Sequence, residues 1–273
     1  MRDLIFPNET TEPFDAALQR SAALAERLAR EAGLGPGERL VLALENSRAH
    51  VDLVLAAWRL GAQLIAVPPT ASGPTFAGIL ESGAPRVVAV ESKNERLARI
   101  VDDWARTIQG LQGTPGGGIV LGLAGAAPQA SPTVRPDTLA VSWQEWLAHL
   151  PPAVFYTSGS TSTAKGVPLH WARILAKGRA VLGHYGVTAQ DRVMPILPLS
   201  HVYGLYCLLG TIDLGADAIL CSESGTPAAL AAGLAEHGAS VAVCPPIVGA
   251  FLFGRHGCAP AIREPLRVLS MGG

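Results

Sequence analysis

Little in this sequence is charged, and little is aromatic. Asp, Glu, Lys and Arg make up 16% of the 273 residues and Phe, Trp and Tyr 5%, against 49% apolar residues. The apolar share is ample for a buried core at this length, so a globular chain is expected, as one large domain or two ordinary ones. Its 21 basic residues face 22 acidic ones, a formal net charge of −1. That near-balance excludes a bulk attraction to nucleic acid or to an anionic membrane, so any anion site must be local. No apolar run is long enough to span a bilayer, and the opening MRDLIFPNETTEPFD has no sustained apolar core behind its arginine. Neither a membrane span nor a secretory leader is therefore expected, and the chain reads as soluble and cytoplasmic. Only four cysteines occur, Cys207, Cys221, Cys244 and Cys258, with no C-x-x-C pair and no H-E-x-x-H. Those gaps exclude the familiar zinc patterns, and buried reduced thiols are expected.

What is present is an alternation of amphipathic helices and short apolar strands. Leu18, Ala22, Ala25, Leu28 and Ala29 recur at helical spacing, and GLGPGE then turns the chain into RLVLALE. The three glycines of that turn follow a helix and precede a strand, the reverse of a dinucleotide-binding loop. The rhythm continues through a helix over 48–60, QLIAVP, a helix near 76–82 and RVVAV. From 110 to 137 the chain becomes rich in Gly and Pro around the apolar IVLGLAG, where a subdomain boundary is expected. Ser142 and Glu145 stand at capping-box spacing ahead of the strand AVFYTS. Helices over 171–185, after His201, over 227–237 and from Pro246 then alternate with RVMPIL, AIL, SVAVC and RVLS. The order predicts an α/β fold, with mainly parallel sheets covered by helices.

One stretch calls for chemistry. In FYTSGSTSTAKGVPLHW, residues 155–171, six of the seven positions from Thr157 to Thr163 carry hydroxyls, and Lys165 follows. Hydroxyls, backbone amides freed by Gly159 and Gly166, and the lysine charge suit a polyphosphate grip at the carboxyl end of a strand. Composition alone leaves a flexible Ser/Gly linker equally open. A Walker A loop fails, because Ala164 precedes the lysine and Gly166 follows it, and no G-x-S-x-G elbow is present.

The stretch resembles the signature T-S-G-[ST]-T-G-x-P-K-G of the adenylate-forming superfamily, to which acyl-CoA synthetases, luciferases and peptide-synthetase adenylation domains belong. The segment from LAERLAREAG to QLIAVPP is similar to the family's N-terminal stretch, LPLSHVYGL to its P-L-x-H-x-x-G segment, and LRVLSMGG to the strand entering its G-G-x loop. The resemblance implies an acyl-CoA synthetase-like ligase that uses ATP and Mg2+ to turn a carboxylic acid into an acyl-adenylate. The acyl group then passes to the thiol of CoA or of a carrier protein's phosphopantetheine. It implies that Thr157, Ser158, Gly159, Ser160, Thr161, Lys165 and Gly166 wrap the β- and γ-phosphates. It also implies that His201, Tyr203, Gly204, Gly272 and Gly273 border the acyl and adenylate pocket. For His201 the other reading is a helix-start histidine that packs or bonds nearby backbone, and for Tyr203 and Gly204 it is core and close packing. Amino-acid-activating relatives carry an aspartate in this segment. None occurs between Leu197 and Thr211, so a fatty, aryl or other apolar acid is expected.

Two departures matter. Ser162 stands where the signature has its second loop glycine and Ala164 where it has proline. Serine in place of a glycine at positive φ would strain the loop, which opens an alternative: an acyl or acyl-adenylate binding module that does not adenylate. The chain also resembles only the N-terminal portion of the family's AMP-binding domain. The family's ribose-holding aspartate, its Y-G-x-T-E segment and the mobile C-terminal domain with the catalytic lysine have no counterpart, so the catalytic residue is unknown and inactivity of this chain alone is expected.

Overall fold

Short strands of Val, Leu, Ile and Ala, buried on both faces, need cover on both sides, and the helices between them supply it. The computed structural model describes residues 2–6, 11–106, 119–123, 143–157, 165–221, 226–253 and 266–271. The chain opens with β1 (Asp3–Ile5), β2 (Glu12–Pro13) and α1 (Phe14–Arg27), which runs into a π-turn over Leu28–Ala32 closed by Gly33 at φ 67°. There follow β3 (Arg39–Ala43), α2 (Arg48–Leu60), β4 (Gln63–Ala66), α3 (Gly73–Gly83), β5 (Val87–Glu91), α4 (Glu95–Arg106), β6 (Ile119–Leu123), α5 (Trp143–Ala148), β7 (Ala153–Thr157) and β8 (Lys165–Leu169). The second half comprises α6 (Trp171–His184), β9 (Arg192–Pro195), α7 (Val202–Asp213), β10 (Asp217–Ile219), α8 (Pro227–Glu236), β11 (Val241–Cys244), α9 (Pro246–Phe253) and β12 (Val268–Met271).

These strands form two six-stranded sheets, β12-β11-β9-β10-β1-β2 and β6-β5-β3-β4-β7-β8. In the first, every pairing is parallel except β1 with β2. The second has a parallel centre with antiparallel edges at β6 and β8. The α/β architecture expected from the alternation is thus present. The described residues divide into one unit of Met1–Ala17, Asn46–Arg48 and Arg173–Gly273, and another of Leu18–Glu45 and Ala49–Ala172. The division falls outside the Gly/Pro-rich 110–137 stretch, most of which lies outside the described residues together with Ser142 of the expected capping box.

Five elements are not evident in the sequence pattern: β1, β2, α4, β6 and β8. In α4, ERLARIVDDWAR, six of the twelve residues are charged. Yet Leu97 and Val101, one turn apart, are fully buried against Val41, Val88 and Phe76. The spacing of Leu28 and Ala29 predicts plain helix where the structure has the π-turn.

In the second unit Trp58 packs edge-on against Trp146 and Trp171, with ring centroids 5.6 and 4.7 Å apart. Arg59, next in sequence, is buried and reaches back to α1, donating to Leu18 O at 2.8 Å and Ser21 Oγ at 3.1 Å. Burial lowers its pKa, while the two acceptors satisfy the guanidinium. In the first unit α6 and α7 cross at Gly178 and Gly210. A Cβ added to Gly178 would stand 2.0 Å from Tyr206 O, and one on Gly210 would stand 2.5 Å from Gly178 C. Three of the cysteines, Cys207, Cys221 and Cys244, are buried free thiols as expected, and burial raises the first two to about 12. Cys258 lies outside the described residues.

Candidate adenylation site

The candidate residues fall into two groups, one in each unit. The first is carried by the β7–β8 hairpin. β7 runs parallel to β4, so Thr157 ends it at the carboxyl edge of the sheet, where open α/β sheets bind ligands. β8 returns antiparallel with Thr157 opposite Lys165 and Tyr156 opposite Gly166. The strand begins at Lys165 where the sequence suggested loop, so Lys165 and Gly166 are hairpin residues. The segment 158–164, with Ser158, Gly159, Ser160, Thr161, Ser162 and Ala164, lies outside the described residues. The hairpin nonetheless makes Thr157 and Lys165 the paired ends of that segment.

The absent side chain of Gly166 has a structural use of its own. A Cβ there would sit 2.9 Å from Val154 Cγ1 and 3.3 Å from Tyr156 Cζ. Tyr156 packs with Val154 onto the cluster of Phe76, Ile79 and Leu80, and its hydroxyl lies 3.4 Å from Ser82 Oγ. Side chains alternate along a strand, so Lys165 projects from the opposite face and is exposed.

The second group sits where β9 gives way to α7. His201 is the N-cap of α7, with extended backbone, and its Nδ1 accepts from Tyr203 N at 3.2 Å. An accepting Nδ1 carries no proton, so in the neutral ring the proton is on Nε2. His201 is exposed, which leaves that N–H able to donate outward. His201 N donates to Pro198 O at 3.0 Å, closing the turn ahead of the helix.

Tyr203 and Gly204 serve packing. Tyr203 is 7% exposed, stacks on Tyr206 at 4.9 Å and joins the core of Leu182, Cys207 and Val243. Burial raises its phenol above the ordinary range, partly offset by a hydrogen bond with Ser270. Gly204 lets the first turn of α7 lie on the preceding backbone, since a Cβ would fall 2.2 Å from Pro198 O. Gly272 and Gly273, just beyond β12, lie outside the described residues.

Sequence reasoning missed Asn46. It is buried, and its amide grips the turn before His201: Nδ2 donates to Leu197 O at 2.8 Å and Leu199 N donates to Oδ1 at 2.7 Å. The available signal was a lone Asn directly after the apolar strand RLVLALE, which does not reveal a partner more than 150 residues away. Among the described residues, no group of three or more His, Cys, Asp or Glu could hold a metal ion. No described helix is long and apolar enough to cross a membrane.

Residues 5–273 match the family described as AMP-binding enzyme. Human long-chain fatty acid transport protein 5 is 34% identical over 223 residues, covering 77% of this chain and 31% of its own length. The sulfoacetate–CoA ligase of Cupriavidus necator is 26% identical, covering 90% and 47%. Among solved structures, o-succinylbenzoate CoA synthetase from Bacillus subtilis, in complex with its acyl-adenylate intermediate, superposes with a TM-score of 0.72 at 20% identity, covering 100% of this chain and 65% of that one. A benzoate CoA ligase from Burkholderia xenovorans gives 0.69 at 20%, covering 92% and 48%. The chain thus spans about a third to a half of the two curated relatives. With the family match running over nearly its whole length, the chain belongs to the AMP-binding enzyme family.

Proposed function

We propose that this chain is the nucleotide- and acid-binding part of an ATP-dependent acid–thiol ligase of the acyl-CoA synthetase type, acting in the cytoplasm. The observation that carries the reading is the family match over residues 5–273, with the phosphate-loop pattern held between the paired ends Thr157 and Lys165. A carboxylate oxygen of the substrate forms a bond to the α-phosphorus of ATP as the bond from that phosphorus to the β-phosphate bridge breaks, releasing pyrophosphate. A thiol of CoA, or of a carrier protein's phosphopantetheine, then attacks the acyl carbonyl and AMP leaves.

Because the substrate supplies the nucleophile, the protein's work is in-line positioning and charge stabilisation. Thr157, Ser158, Gly159, Ser160, Thr161, Lys165 and Gly166 hold the leaving phosphates through amides, hydroxyls and the ammonium. His201 offers Nε2–H to an oxygen of the acid or its adenylate, and Gly272 and Gly273 border the same pocket. Magnesium, when bound with the nucleotide, would shield its phosphates. Among the described residues no cluster of His, Cys, Asp or Glu would hold it. With no acidic residue between Leu197 and Thr211 to pair an ammonium, the substrate is a fatty, aryl or other apolar acid. The relative named for long-chain fatty acids fits this class.

Carboxylate-dependent ATP–pyrophosphate exchange in the natural full-length protein tests the reading. Lys165→Ala should lower exchange about 10- to 100-fold, the loss of one charge-assisted hydrogen bond worth about 1.5–3 kcal/mol. Exchange unchanged in this variant removes Lys165 from the site, and no exchange with any of a broad panel of acids, in a folded sample, overturns the ligase. Ser162 and Ala164 favour one alternative, a non-adenylating acyl or acyl-adenylate binding module. Calorimetry that detects acyl-adenylate binding where ATP and acid give no exchange would select it.

A further inference from the structure

We infer that Asn46 is the positioning residue for His201, an inference that rests on the role given to that histidine above. The turn from Leu197 to His201 contains Pro198, which has no N–H, so its remaining buried backbone groups need partners from elsewhere. A single side chain supplies two of them. Asn46 Nδ2 donates to Leu197 O at 2.8 Å, and Leu199 N donates to Asn46 Oδ1 at 2.7 Å. The donor and acceptor met by the amide fix its orientation, since the flipped amide would face N–H with NH2 and C=O with C=O.

The consequences run along the turn. Two bonds from one planar group, to residues on either side of Pro198, set the plane of the peptides between them. Pro198 O, so placed, accepts His201 N at 3.0 Å and abuts Gly204, where even a Cβ would come within 2.2 Å. His201 then caps α7 through Nδ1, so that in the neutral ring the proton sits on Nε2. Asn46, Leu197 and Leu199 are all buried, at 5%, 5% and 1% exposure, so water does not replace the clamp if it is lost. Only a carboxamide offers both a donor and an acceptor in this geometry. Aspartate would keep the bond from Leu199 N while setting an oxygen against Leu197 O.

The test combines one spectroscopic and one kinetic measurement. In 15N-histidine-labelled chain, the wild-type His201 ring should show the Nε2–H tautomer, and N46D and N46A should shift the ring resonances and mix the tautomers. Nδ1–H in the wild type, or an unchanged ring in the variants, overturns the inference. In full-length protein, N46D should lower kcat/KM for the acid tenfold or more with KM for ATP within about twofold. In an H201A background the same change should cost less than about twofold. Equal costs in both backgrounds would show that Asn46 does not act through His201. If N46A fails to fold, N46D and the wild-type ring measurement decide the matter. If H201A itself leaves exchange intact, the histidine's role falls, while the ring measurement still reports on the clamp.

Discussion

Gly204→Ala is expected to cost about 3 kcal/mol or more in stability, or to prevent folding of the unit that contains α7. The new Cβ would stand 2.2 Å from Pro198 O, 2.6 Å from Pro198 C and 3.0 Å from Leu197 O. All three obstacles are backbone, and no rotamer change relieves them. Asn46 holds the Leu197 and Leu199 ends of the same turn, so the backbone cannot retreat without breaking two buried hydrogen bonds. The first turn of α7 must lift away instead, which opens the packing of Tyr203 and Leu205 beneath it. Overpacking of this kind costs about 1–3 kcal/mol, and a lost buried hydrogen bond adds to it.

Gly78→Ala is the matched control. It lies in α3 with nothing within 4 Å of an added Cβ, and should raise stability by roughly 0.5–1 kcal/mol through helix propensity. Melting temperatures should therefore move in opposite directions, by at least ~6 °C downward for the first variant. A melt of Gly204→Ala within error of the wild type would mean that the helix does not rest on the turn as described.

The contrast between these glycines shows what could be read from the chain and what could not. The central strands were legible because β3, β5 and β11 are apolar on both faces, and runs such as RLVLAL, RVVAV and SVAVC have no other stable place in water. The hydroxyl-rich segment was legible as chemistry because six hydroxyls and a lysine do not pack a core. β8 was not. KGVPL is short and holds a glycine and a proline, and it pairs as an edge strand because β7 offers it a free side and Gly166 leaves room for Tyr156. His201 could be picked out by its surrounding pattern, whereas its Nδ1 cap depends on the N–H that α7 presents. Asn46 was beyond reach, because its meaning comes from a partner 151 residues away. Gly78, Gly178 and Gly204 look alike in sequence. They differ only in what another helix or turn has placed beside each Cα.

Stability should fall as the pH drops from about 6.5 to 4, and His50 should account for most of that fall. Its ring is 1% exposed near the start of α2, with Nδ1 3.3 Å from Glu45 O. Burial is the main cause that pushes its pKa down from 6.5 to about 4, against smaller upward pulls from hydrogen bonds to the backbone of Glu45 and Leu44. The folded state therefore stays neutral where the unfolded chain has already taken up a proton. Below pH 6.5 proton binding favours the unfolded chain, and the penalty grows until the folded ring protonates near pH 4. A shift of about 2.5 pH units corresponds to roughly 3 kcal/mol in all.

Asp191 acts in a lower window. Arg267 first, then Ser240 and the Thr188 amide, hold its carboxylate far below the ordinary 3.8, so its contribution is intact above that pH and is lost only below it. Denaturant unfolding at pH 7.5, 5.5 and 4.5 separates the two. The wild type should lose most of the 3 kcal/mol across this series, and His50→Gln should lose little, even if its stability at pH 7.5 is lower. Parallel curves for the two proteins would place the acid sensitivity in groups other than His50.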